Sequence, residues 1–144
     1  MNLRLLTSGV AVSLAFFLAA CASSGDKGGN WQNIGTTSNG NIKVSMDKSS
    51  IKKNGSLVTF RDKKVISKPS EERFVNTPVY KTAIGEWEIH CVNKTYRLTA
   101  LQLINDRGQT VSNEKYTAAN LRPMSVMNGT ITEKQYELAC GKKL

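Results

Sequence analysis

The sequence predicts an α+β domain: a mostly antiparallel β-sheet of about six strands, with one C-terminal helix packed on it through a disulfide. Three observations lead there. From Trp31 onward, short apolar runs alternate with polar residues and are divided by turn pairs such as Asn39-Gly40 and Asn54-Gly55, the pattern of hairpin-linked strands. The last segment switches to helical spacing. Two cysteines are left for the domain, one in a strand-like run and one in that helix.

The elements follow in order. Trp31 to Thr37 reads as a first strand. Asn39-Gly40 tolerates the positive φ that a tight hairpin needs. Ile42, Val44 and Met46 alternate with Lys43 and Ser45 as a half-buried strand should, and Asp47-Lys48-Ser49-Ser50 is expected to break that run. Leu57 to Ile66 is a strand whose face is obscured by the charges at Arg61 to Lys64. Ser67 to Pro78, with two prolines, reads as a loop. Val79 to Cys91 is strand-like, with Gly85 marking a bulge. A turn at Asn93-Lys94 leads into Tyr96 to Ile104, and Asn105 to Gly108 turns into Gln109 to Ser112.

The helix is the best-signposted element. Thr130 is its cap, Glu133 sits at the spacing that reaches back, and Ile131, Gln135, Leu138 and Ala139 share a face. Gly141 stands at the C-cap, and Lys142 and Lys143 suit the negative end of the dipole. With Asn93-Lys94 as a two-residue turn, Cys91 would face Tyr96, Ile89 would face Leu98, and Trp87 would face Ala100. That places these six on one apolar face and Glu86, Glu88, His90, Arg97, Thr99 and Leu101 on the other.

Ahead of the domain, a basic start at Arg4 precedes an apolar run that closes in Leu18-Ala19-Ala20-Cys21. This resembles a bacterial lipoprotein signal, which implies cleavage before Cys21 and lipidation of Cys21. The competing reading, a transmembrane helix, falls short of the roughly 20 apolar residues a bilayer span needs. A charged start, an apolar middle and small residues before a cut describe an export signal. The organisation expected is a signal peptide at 1–20, a lipidated Gly/Ser-rich tether at 21–30 and the β-rich domain at 31–144. Ala22 and Ser23 after the cysteine favour the outer membrane by the same resemblance.

An exported chain meets oxidising conditions, so Cys91 and Cys140 are expected to pair. Closing a loop of about 50 residues stabilises by roughly 4 kcal/mol in the chain-entropy picture. A zinc site or a catalytic thiol is the rival. There is no Cys-x-x-Cys, and His90 is the one histidine.

The formal net charge is +9, and the basic residues crowd between 43 and 81. A positive field of this kind attracts anionic partners within about 8 Å at physiological salt. The candidate contact residues are Lys52, Lys53, Lys63, Lys64 and Lys68, followed by Lys81, Lys94 and Arg97. The plain alternative is a solvated, solubilising face. The export signal disfavours nucleic acid. Catalytic chemistry finds little support. His90 and Cys91 are strand neighbours pointing to opposite faces, Glu86 and Glu88 read as surface, and no glycine-rich phosphate loop precedes a helix. No catalytic residue, metal or cofactor is expected.

The succession of Trp31, Asp47 with Ser49-Ser50-Ile51, the Lys53-Asn54-Gly55 turn, Glu88-Ile89-His90-Cys91, Tyr96-Arg97-Leu98, Asn105 to Gly108, Pro123-Met124-Ser125 and Tyr136 to Cys140 resembles the surface-adhesin protein E family of Gram-negative lipoproteins. The resemblance implies a mostly antiparallel sheet, a C-terminal helix and a Cys91–Cys140 disulfide. It also implies binding of host matrix or plasma proteins, and dimers. His90 stands where the family often has aspartate, and Met124-Ser125-Val126-Met127 replaces a short Pro-Gly-Ser. The function expected is thus a non-enzymatic binding module, a lipid-anchored outer-membrane adhesin for a host matrix or plasma protein or an anionic polymer. A periplasm-facing structural lipoprotein, or a small inhibitor of a host enzyme such as lysozyme, are the alternatives.

Overall fold

The computed structural model describes residues 28–144. Six strands form one antiparallel meander in chain order: β1 (Trp31–Thr37), β2 (Ile42–Asn54), β3 (Leu57–Ile66), β4 (Thr82–His90), β5 (Thr95–Ile104) and β6 (Thr110–Lys115). A two-residue strand, β7 (Met124–Ser125), adds to the start of β5, and α1 (Ile131–Cys140) closes the fold. The expected sheet with one C-terminal helix is therefore present. Cys91 and Cys140 are bonded, their Cα atoms 5.7 Å apart, which ties the end of β4 to the end of α1 and uses both thiols.

Register assigns the faces. Ile42, Val44 and Met46 lie opposite Ile66, Lys64 and Asp62, and the same face continues with Ala83 opposite Lys64, Gly85 opposite Asp62 and Trp87 opposite Phe60. The helix covers that face, chiefly over β1, β2 and β3. Its core joins Val44, Met46, Val58, Phe60 and Ile89 to Tyr136 and Ala139, with Cys91, Tyr96 and Leu144 packed around it. Tyr136 is fully buried and donates its hydroxyl to the Cys91 carbonyl at 2.7 Å.

The helix begins as expected. The Thr130 hydroxyl accepts the Glu133 N–H at 3.2 Å, and Gly141 takes the left-handed C-cap conformation. Glu133 reaches back one residue further than a capping box does, to the Gly129 N–H.

Three expectations need correction. The run at Asp47 to Ser50 does not break the strand. β2 passes through it with a register shift between Asp47 and Lys52. The Ser50 hydroxyl donates to the Asp47 carbonyl at 2.7 Å and accepts the Arg61 N–H at 2.8 Å, standing in for a missing ladder bond. The β4–β5 turn is longer than two residues: Cys91 to Lys94 lie in it, so Ile89 faces Tyr96 and Trp87 faces Leu98. Trp87, Ile89, Tyr96 and Leu98 still share the apolar face. A register shift after Glu86 puts Ala100 opposite Glu86 and so on the other face, where Leu101 was expected.

The third concerns Gly85. The shift falls one residue beyond it, and its own role is close approach. A Cβ there would sit 2.6 Å from the Trp87 indole nitrogen and 2.7 Å from Asp62 Oδ1. Glycine leaves room for Trp87 Nε1 to donate to Asp62 at 2.8 Å.

Candidate functional site

The helix leaves the other face of the sheet free of its own contacts across β2 to β5, though residues 28–30 lie against part of it. Its side chains are those at odd positions of β3, namely Thr59, Arg61 and Lys63. Neighbouring rows supply Ser45 and Asp47 from β2, Glu86 and Glu88 from β4, and Arg97 from β5. The sheet curves here into a groove of about 510 Å³ lined by Asp47, Ser49, Lys52, Thr59, Arg61, Glu86 and Thr99. A smaller hollow of about 100 Å³ continues it toward β6, sharing Arg61 and Glu86.

One wall is a preorganised charge cluster. Asp47 is buried and paired with Arg61 at 2.6 Å. Burial pushes its carboxyl up. Hydrogen bonds from the Ser49 hydroxyl, Arg61 and the N–H groups of Asn30 and Ser49 outweigh that and bring its pKa down to about 2. The Trp31 ring carries the Lys63 ammonium 4.4 Å from its centroid and the Arg61 guanidinium at 5.2 Å. The Trp31 indole N–H is buried without a hydrogen-bond partner among the described residues.

The residues before β1 are bound to this wall. Gly28 accepts from Arg61 Nη2 at 3.1 Å, Asn30 donates to Asp47 Oδ1 at 2.9 Å, and the Asn30 carbonyl accepts from the Lys48 N–H. Gly29 has φ +140, and a Cβ would lie 2.8 Å from Asp47 Oδ2. Residues 28–30, expected in the tether, thus belong to the folded unit. Cys21 and the signal segment lie outside the described residues.

The eight candidate basic residues do not form one patch. Lys63 and Arg97 are on the open face, Arg97 locked to Glu88 at 2.7 Å. Lys64, the chain neighbour of Lys63, points to the helix side, 3.4 Å from Asp62 and over the Trp87 ring. Lys68 pairs with Glu71 at 3.5 Å, and Lys81 donates to the Ile66 carbonyl at 3.0 Å. Lys52, Lys53 and Lys94 lie exposed toward the far end of the sheet, Lys52 also lining the groove there, with no ion pair among the described residues.

Residue-by-residue reading missed Asp47, Arg61, Glu86 and Thr99 as groove-forming groups. A signal was present. Arg61 and Lys63 at alternate positions of one strand define a charged face, and Asp47 sits on the neighbouring strand. At the opposite end, the loop between β3 and β4 is pinned to the β1–β2 hairpin. Ser38 and Asn41 donate to Glu72 and hold its carboxyl below the usual range. Burial, and then the charge of Glu72, push the Tyr80 hydroxyl up.

Among the described residues, no three His, Cys, Asp or Glu side chains gather to hold a metal, and no helix is long and apolar enough to cross a membrane. A family model described as surface-adhesin protein E matches residues 31–141. Among curated proteins nothing matches the chain.

Proposed function

Because the chain belongs to the surface-adhesin protein E family, we propose that it is a non-enzymatic adhesin, lipid-anchored to the outer membrane at Cys21. Its open sheet face would be presented to a host matrix or plasma protein. The family match over 31–141 carries this reading, because it spans the sheet, the groove and the disulfide-bonded helix together. The groove supports it chemically. In its wall Arg61 and Asp47 are held as a fixed pair beside the Trp31 ring, and Arg97 and Glu88 form a second fixed pair on the same face of the sheet. Polar groups already fixed in place cost little ordering when a protein surface settles on them. Both domain thiols being spent on a disulfide argues against a cysteine nucleophile.

The test has two arms. Protease treatment of intact cells should release the domain, and the isolated domain should bind members of a panel of immobilised matrix and plasma proteins, less tightly as salt rises. Full protection on intact cells would favour the periplasm-facing alternative. Absence of binding to every member would remove the adhesin reading.

A further inference from the structure

The strands end in a tip whose composition differs from the rest of the surface. The β2–β3 turn, the β4–β5 turn, the segment through β7 and the C-terminal residues after α1 all meet there. Cys91 joins Cys140, the Cys91 N–H donates to the Ser56 carbonyl, and the Val126 N–H donates to the Lys94 carbonyl. These four stretches hold Lys52, Lys53, Lys94, Arg122, Lys142 and Lys143, all exposed, and no acidic side chain. None of the six makes an ion pair among the described residues. The opposite end mixes Lys43, Lys68 and Arg107 with Glu71, Glu72 and Asp106.

Apolar side chains are exposed among these charges. Val92 is 66% accessible and Met124 52%, and Met127, just past the Val126 contact, is 65%. Water-facing apolar groups at the same end as these lysines suit the boundary of a lipid headgroup layer, where the apolar groups enter and the ammoniums meet phosphates.

The length of chain before the domain is compatible with this. β1 is antiparallel to β2, with Trp31 opposite Asp47 and Thr37 opposite Ile42. The Asn30–Lys48 bond extends the ladder one step toward the tip, and Gly29 and Gly28 then cross the open face to Asp47 and Arg61. From Lys48 to Asn54 the strand covers about 20 Å at roughly 3.3 Å per residue. The seven residues 21–27 can span at most about 25 Å. If Cys21 is lipidated, as proposed above, this reach is long enough for the tip to lie on the bilayer.

The geometry points to a second binding surface: the basic and apolar tip docks on the anionic phosphates of the membrane that holds the Cys21 lipid, leaving the groove facing sideways. This rests on the lipid-anchor reading for its membrane, and the two are tested separately. Residues 21–144 carrying Cys21→Ser would be titrated with vesicles of phosphatidylcholine alone and of phosphatidylcholine mixed with phosphatidylglycerol. Binding is expected on the mixed vesicles only, weakening with salt. Lys53→Gln, Lys94→Gln and Lys142→Gln together should lower affinity about 100-fold, near fivefold for each lysine. Lys43→Gln, Lys68→Gln and Arg107→Gln, the same charge change at the other end, should leave it within about twofold. Val92→Ser with Met124→Ser should weaken binding without changing its salt dependence.

Equal loss from both triple variants would reduce the effect to net charge and overturn the proposal. So would failure to bind the mixed vesicles, including the case in which the tip captures an acidic protein instead. Mass spectrometry of protein extracted from native membranes reads the lipid on Cys21. A bare Cys21 with intact vesicle binding would sink the anchor reading alone.

Discussion

Asp47 and Asp62 lie about one row apart on neighbouring strands, both buried, on opposite faces of the sheet. Asp62 is on the helix side. It accepts from Trp87 across Gly85 and from Gln135 of α1, both at 2.8 Å, so it joins three elements distant in sequence. Asp47, on the open side, is satisfied by its own neighbourhood: Ser49 two residues on, Arg61 across the ladder, and Asn30 at the mouth of β1. The difference teaches what each face is for. A buried acid with long-range partners fixes one tertiary arrangement, here the seat of the helix. A buried acid with local partners leaves its surroundings exposed and holds a surface ready, here the wall of the groove.

Substitutions should separate the two faces. The largest effect belongs to the helix side: Cys91→Ser with Cys140→Ser should cost about 4 kcal/mol in urea unfolding, from the freed loop. Asp62→Ala should follow at about 3 kcal/mol, because Trp87 Nε1 and Gln135 lose a buried acceptor. A loss as small as that of a surface change would show that the helix is seated by apolar packing alone.

Asp47→Asn should cost about 2 kcal/mol at neutral pH, with a characteristic pH dependence. The folded-state pKa of Asp47 is about 2, below the ordinary 3.8. Its contribution is therefore complete above about pH 4 and is lost as pH falls toward about 2. The gap between wild type and variant should close over that window, measured by chemical unfolding at each pH. Thr130→Ala, removing the hydroxyl that caps α1, should cost about 1 kcal/mol.

Much of the fold was legible because local rules and tertiary packing agree. β1 and β3 run over the expected residues, and α1 is framed by its Thr130 cap and Gly141. Where they disagree, reading failed. Asp47 to Ser50 carries turn chemistry, yet the strand survives because a serine hydroxyl replaces a ladder bond. The β4–β5 register slipped by two because turn length is not written in Asn93-Lys94 alone. Tyr136 entered only through the family resemblance, since Ile131, Gln135, Leu138 and Ala139 account for a helical stripe without it. The contact surface was least legible. A run of lysines along a strand alternates between faces, so Lys63 and Lys64 part company, as do Lys52 and Lys53, whereas Lys53 and Lys94, distant in sequence, end up at one end of the sheet.

The central claim is that the partner settles on the open face, and filling the groove tests it most directly. Thr59 is exposed on its floor. Thr59→Trp keeps a strand-compatible residue while obstructing the groove, and Lys63→Glu reverses a charge beside Trp31. With the disulfide and unfolding midpoint unchanged, the double variant should lose at least tenfold in affinity for the immobilised host protein that wild type binds, a loss of about 1.4 kcal/mol. Undiminished binding by that variant would place the contact elsewhere on the molecule and contradict the account.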